Sequence, residues 1–220
     1  MPAPITADDF AASLIDDVAR LVPGERRLVA IAGPPGSGKS TLAERVADAV
    51  NAALPRTPDT AAILPMDGYH YDDELLTRLG RQQRKGAPDT FDVGGFHAML
   101  GRLSANAEAA IAVPRFDRDI EIARAGARLI ARETPLIIVE GNYLLLDTPP
   151  WDTLRGAFHQ SAMVVVDAAT LRRRLVARWT GYGFPDAEAA EKAEGNDLPN
   201  GRMVMENSRA ADVEVDGNDT

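Results

Sequence analysis

No cysteine occurs among the 220 residues. That excludes disulfides and thiolate metal sites, and it fits a cytoplasmic protein. Positive charge is also short: 24 Lys and Arg face 33 Asp and Glu, a formal net charge of −9. Broad nucleic-acid binding relies on basic patches, so no nucleic-acid partner is expected. No apolar run approaches the ~18 residues needed to span a bilayer, so no membrane partner is expected either. The stretch Met1 to Phe10 is acidic, without a basic region leading into an apolar one, which argues against a secretory signal. No two histidines have metal-ligand spacing. Repeats, heptads and low-complexity tracts are missing, and only the tail after Asp216 reads as disordered.

What is present is an ordinary globular composition, 45% apolar and 26% charged, in a length suited to one α/β domain over 1–220. Thr6 or Asp8 caps a first helix running to about Val22 and ended by Pro23-Gly24. Leu28–Ala32 reads as a buried strand, and Leu42, Val46, Val50 and Leu54 recur at helical spacing. Ala61–Met66 is a second strand, stopped by Asp67-Gly68. The polar stretch Tyr69–Thr90 reads as a flexible excursion. Asp92 is placed to cap a helix using Phe96, Met99, Leu100 and Leu103. Ile111–Val113 is a short extended piece; Leu136–Val139 and Met163–Val166 are strands. Leu171–Thr180 and Asp186–Lys192 are helical, and Val213–Val215 is a last strand. Strands alternating with helices imply a mainly parallel sheet with helices on both faces.

One stretch carries chemistry by its spacing. Gly33-Pro34-Pro35-Gly36-Ser37-Gly38-Lys39-Ser40 fits G-x-x-x-x-G-K-[ST], after a strand and before a helix. Glycines let successive N–H groups curl into an anion nest, and the helix adds its positive N-terminal end. Lys39 then reaches the β- and γ-phosphates, Ser40 is placed to ligate Mg²⁺, and Thr41 supports the turn or contacts a phosphate. ATP and Mg²⁺ are the expected cofactors, on a three-layer P-loop NTPase fold with a small lid.

Ligands in open α/β sheets gather at the carboxyl ends of the strands. Three acids follow apolar runs there: Asp67, Glu140 and Asp167. Each is a site candidate, and each is also readable as a solvated strand-end acid or a cap. Asp67 near the γ-phosphate would accept the proton of an attacking hydroxyl or orient it. Glu140 would hold a Mg²⁺-bound water. Asp167 reads better as the cap of the next helix. On that helix Arg174 and Arg178 share a face and are candidates for phosphate charge, against a solvated face as the plain alternative.

The chain resembles the P-loop small-molecule kinases that include uridine kinase, phosphoribulokinase and bacterial pantothenate kinase. The likeness rests on GPPGSGKST, PMDGYH, KGAPDTFD (Lys85 to Asp92) and VEGNYLLL (Val139 to Leu146), with PRFDR and RLVARW in support. It is nearest to short bacterial fructokinase-like, or nucleoside-kinase-like, members. The resemblance implies Asp67 as catalytic base, Glu140 near Mg²⁺ and substrate, and Arg174 and Arg178 closing over the phosphates from a lid at about 171–200. It implies an acceptor-side region at about 69–120.

The acceptor is less plainly written. Its candidate contacts are Asp67, His70, Lys85, Asp89, Arg118, Glu140, Asn142 and Tyr143. Several have plain alternatives: the Arg78–Asp92 charges as a solvated lid, Arg118 as an ion pair with Asp117 or Asp119, and Asn196, Asp197 and Asn200 as turn residues. His97 and His159 read as structural. PRFDRDIEIARAG lacks the histidine usual in uridine kinases, and the chain has little room for the extra elements of pantothenate kinase. A small sugar therefore fits best, with a nucleoside or pantothenate as alternatives. A GTPase would need N-K-x-D, which is absent, and a transport ATPase an LSGGQ-like signature, also absent. A non-catalytic nucleotide-binding protein is the remaining class. A homodimer is compatible with all of this.

Overall fold

A computed structural model describes residues 3–218. The first helix, α1 (Ala7–Ala19), starts at a capping box in which Thr6 and Asp9 satisfy each other's backbone N–H. It stops at Arg20, short of the expected Val22. A residue before proline is pushed out of the α region, so Val22 cannot be helical and the last turn unwinds ahead of it.

The elements that follow are β1 (Arg27–Ala32), α2 (Lys39–Ala53), β2 (Ala61–Pro65), α3 (Asp73–Arg78), α4 (Val93–Ala105), β3 (Ala110–Asp117) and β4 (Ile122–Ala131). Then come β5 (Leu136–Gly141), β6 (Gln160–Val165), α5 (Ala168–Gly181), α6 (Asp186–Lys192), α7 (Leu198–Asn207) and β7 (Val213–Asp216). The strands β2-β5-β1-β6-β7 form one sheet in that order, every pair parallel. Alternation in β1 shows why the run is apolar throughout. Val29 and Ile31 pack with Phe10, Leu14, Leu42 and Val46 of α1 and α2. Leu28 and Ala30 pack on the other face with Phe96 and Leu100 of α4, Tyr143 and Trp151. A strand covered on both faces has no polar side to show.

Four expectations need correction. Tyr69–Thr90 is not a loose excursion: it holds α3 and short 3₁₀ turns, and Tyr143 and Trp151 pin it by donating to Gly86 O at 2.6 Å and Pro88 O at 3.0 Å. The extended piece at 111–113 belongs to a full antiparallel hairpin, β3–β4. Its second strand is mostly exposed and rich in Ala, Gly and Arg, so it carries no apolar alternation. Asn196, Asp197 and Asn200 are helical and not in a loose turn: the first two lie in the turn Ala193–Asp197 and Asn200 lies in α7, where Pro199 occupies the first turn and needs no N–H bond. Beyond Asp216, Gly217 donates to Val165 O at 2.9 Å and Asn218 to the Asp216 carboxylate, so these two are held; Asp219 and Thr220 lie outside the described residues. Among the described residues no helix is long and apolar enough to cross a membrane.

One buried cation binds the sheet to its cover. Arg26 is 6% exposed and donates to the carbonyls of Thr134, Leu103, Ala131 and Arg132. Arg26→Ala would take the donor from the Thr134 and Leu103 carbonyls, and would leave Ala131 O to Thr134 N and Arg132 O to Asn106 Nδ2 alone. It is expected to lower the unfolding free energy by about 3 kcal/mol, read from a denaturant titration.

Candidate active site

All strands of the sheet run the same way, so their carboxyl ends meet at one edge. There β1 delivers the glycine-rich turn, β2 delivers Asp67 and β5 delivers Glu140. In register Glu140 lies opposite both Ile31 and Pro65, between the strands that carry Lys39 and Asp67. Gly141 makes this closeness possible: a Cβ there would come within 2.4 Å of Met66 Cβ, next to Asp67.

The turn is built as an anion cradle. Gly38 caps α2 at φ 89°, a left-handed conformation that suits glycine, and gives no side chain to the helix N–H groups. Those donors stay open to a ligand. The Ser37 hydroxyl is fully buried and has no hydrogen-bond partner among the described residues. An orphan donor in such a cradle fits a phosphate oxygen.

Lys39 and Asp67 line one cavity of about 690 Å³, with His70, Arg118, Asn142 and Arg178. That volume is in the range of small-molecule sites. Burial pulls the Lys39 ammonium down, against Glu140 and Asp67, which favour its charge. Burial would push the Asp67 carboxyl up, but His70, Arg118 and Lys39 outweigh it and hold the group below the ordinary carboxylate range. Arg118 donates to Asp67 Oδ2 at 2.6 Å, which leaves Oδ1 to accept from a hydroxyl. The β3–β4 hairpin packs against the Met66–Tyr69 turn, and that is how Arg118 reaches Asp67. Its partner is thus neither Asp117, which holds Arg124, nor Asp119.

Glu140 is 6% exposed, and burial raises its carboxyl against the pull of Lys39. Ser40 Oγ donates to Glu140 Oε2 at 3.1 Å, so the hydroxyl and carboxylate named for Mg²⁺ do converge. Among the described residues no three acids or histidines form a metal cage. One hydroxyl and one carboxylate, completed by phosphate and water oxygens, is a donor set that suits Mg²⁺. These two residues, with Asp67 and Arg118, line a second cavity of about 600 Å³ that shares Asp67, Phe116 and Arg118 with the first.

His70 Nδ1 lies 2.8 Å from Asp67 O. A carbonyl only accepts, so Nδ1 carries the proton and Nε2 is left as an acceptor. Burial lowers the imidazole below its usual value, which keeps it neutral near pH 7. The ring packs at a tilt against Phe91 and Phe116, with ring centroids at 4.1 and 4.7 Å. These aromatics, with Trp179 and Tyr182, form walls of the cavity that sequence reasoning missed. They come from three separate stretches of chain, and no local spacing unites those stretches. Lys85 lines the cavity while paired to Asp73 at 2.7 Å.

Three named candidates are placed elsewhere. Arg174 donates to Ser37 O at 3.3 Å, Gly217 O at 2.8 Å and Asn218 O at 3.0 Å, tying the phosphate loop to the end of β7. Arg174 and Arg178 share a face, but four residues advance about 6 Å along a helix. The first therefore stays at the sheet while the second enters the cavity. Asp89 pairs with Arg81 at 3.0 Å, half exposed, and lines neither cavity. Tyr143 is wholly buried in the core and acts through Gly86. Asp167 and Asp92 are helix caps, accepting from Thr170 N and Gly95 N. His159 accepts from Leu28 N at 3.1 Å, a structural role as expected.

The Arg118–Asp67 pair has a pH consequence. Removing the guanidinium removes one of the charges that hold the carboxyl down, so its pKa must rise. Arg118→Gln is expected to move the acid limb of the kcat/KM profile to higher pH and lower its plateau about tenfold. An unmoved limb would show that Asp67 does not set it.

No protein-family model matches the chain. A Schizosaccharomyces pombe protein with the provisional name uridine kinase C227.14 is 31% identical over 195 residues, spanning 86% of this chain and 82% of its own length. Escherichia coli K12 YggC, named as an uncharacterized protein, is 34% identical over 199 residues, 88% of this chain and 79% of its own. A Silicibacter sp. TM1040 crystal structure, provisionally named a fructose transport system kinase, is 38% identical. It superposes with a TM-score of 0.86 over 96% of this chain and 98% of that one.

Proposed function

This chain belongs to the P-loop small-molecule kinases of the uridine kinase and pantothenate kinase type, and on that premise we propose that its acceptor is a small sugar. It is an ATP-dependent phosphotransferase with an alcohol group as acceptor. The observation that carries our assignment of roles is the shared cavity of Lys39 and Asp67, with an ionised carboxylate beside the phosphate cradle.

In this reading the acceptor hydroxyl donates to Asp67 Oδ1 and attacks the γ-phosphorus. The bond from that phosphorus to the β–γ bridging oxygen breaks, ADP leaves, and the hydroxyl proton passes to Asp67. The transition state is loose, so the carboxylate mainly orients the hydroxyl and takes its proton late. Lys39, the N–H groups of the turn and Arg178 stabilise charge on the moving phosphoryl. Ser40 and Glu140 would hold Mg²⁺, which when bound neutralises phosphate charge. The turn Gly33 to Thr41 binds the phosphates of ATP. We place the reaction in the cytoplasm, where ATP is supplied and a cysteine-free chain needs no oxidising compartment.

A sugar is supported by the cavity's polar lining, which includes Asn142, whose Oδ1 has no partner among the described residues, and His70, whose Nε2 is left as an acceptor. The name of the Silicibacter relative points the same way. A nucleoside is the second reading, because the lining also includes the aromatic residues Phe91, Phe116, Trp179 and Tyr182. ADP release from Mg·ATP, measured against hexoses, pentoses, polyols, nucleosides, pantothenate and glycerate, separates them. Stimulation by a hexose such as fructose is expected. Stimulation by uridine or cytidine alone would replace the sugar with a nucleoside.

A further inference from the structure

The lid arginine does not hold itself in place. Arg178 Nη2 donates to Asp197 Oδ1 at 2.9 Å, and the indole N–H of Trp179 donates to Asp197 Oδ2 at 2.6 Å. One carboxylate, on a residue only 7% exposed, thus fixes two consecutive lid side chains that both line the cavity. Asp197 ends a single π-helical turn, Ala193–Asp197, set between α6 and α7. Such turns are uncommon and recur at functional sites, because the extra residue re-aims side chains. Here Asn196 of the same turn donates to Lys85 O at 3.0 Å, and Asn200, one turn on, to Gly86 O at 3.5 Å. The turn therefore grips the lid on one side and the acceptor-side loop on the other.

Arg178 itself is not used up by this pair. Its Nε is buried and has no hydrogen-bond partner among the described residues. Its charge is felt at both Lys39 and Asp67. A buried donor left open beside a phosphate cradle is what a phosphoryl oxygen would satisfy. A buried acid standing alone would be costly, whereas two donors here hold the side chain in place.

We propose that Asp197 is a positioning residue for phosphoryl transfer, acting through Arg178 by holding its guanidinium over the Lys39–Asp67 centre. This rests on the phosphate role given to Arg178 above. Asp197 touches no reacting atom in this account, so its removal should matter only while Arg178 is present.

A double-mutant cycle tests this. ADP release from Mg·ATP is measured for wild type, Arg178→Ala, Asp197→Asn and the double variant, with the best acceptor of the panel and separately with water alone. Mg·ATP affinity is measured by calorimetry. Arg178→Ala is expected to slow turnover by about 10²-fold, as loss of one transition-state donor does. Asp197→Asn is expected to slow it about tenfold or more, with Mg·ATP affinity within about threefold of wild type. The double variant should be no slower than Arg178→Ala alone, within about twofold. A wild-type rate for Asp197→Asn, or a loss that multiplies onto that of Arg178→Ala, overturns the proposal. A wild-type rate for Arg178→Ala overturns the reading of Arg178 itself, and this inference with it. If Asp197→Asn does not fold, Asp197→Ser takes its place in the cycle under the same criteria.

Discussion

Asp67→Asn is expected to lower kcat by about 10²- to 10⁴-fold, the usual worth of a positioned general base. Mg·ATP should still bind within about threefold of wild type, because the cradle is made by the turn after β1 and not by β2. The amide keeps the size of the carboxylate and loses only its charge and its capacity to take a proton. It also weakens the 2.6 Å pair with Arg118. The Arg118→Gln profile therefore serves as its control: most of the Asp67→Asn loss should persist on that background. Turnover near wild type would remove Asp67 from the role of base and leave it as a structural partner of Arg118.

Lys39→Ala is expected to cost more, about 10³-fold or greater in turnover at saturating acceptor. The ammonium is partly buried, and that burial pulls its pKa down, so its field at the γ-phosphate is screened less than a surface charge's would be. Its removal also leaves Glu140 and Asp67 without the cation between them. Each carboxyl should then rise, and the acid limb of the residual activity should move to higher pH. A loss of tenfold or less, with that limb unmoved, would contradict the phosphate role. Measuring both variants against Arg26→Ala, which touches neither cavity, separates lost chemistry from lost stability.

The two variants probe the part of the site that was legible in the chain. The phosphate turn is local: its glycines, lysine and serine act within nine consecutive residues, so spacing alone defines its chemistry. Asp67 and Glu140 were legible for a related reason. A parallel sheet puts all strand ends at one edge, so an acid closing an apolar run is placed there by topology. The burial pattern of β1 and β5 was legible too, since strands covered on both faces must be apolar throughout.

The acceptor side was decided by tertiary structure. Asp89 carries the right chemistry in a promising segment, yet a nearby Arg81 claims it. Tyr143 follows Glu140 closely but turns into the core to hold Gly86. Arg174 and Arg178 are equivalent by helical spacing and opposite in fate, because one lies a turn nearer the sheet.

By itself, then, the sequence determined an α/β sheet with a phosphate cradle and two acids at its working edge, because those features depend on local spacing and on strand direction. Only the tertiary structure decided which side chains surround the acceptor. That cavity is assembled from the β3–β4 hairpin, the 3₁₀ turns, α5 and the π-helical turn, segments far apart in the chain. No periodicity within any one of them records where the others will lie.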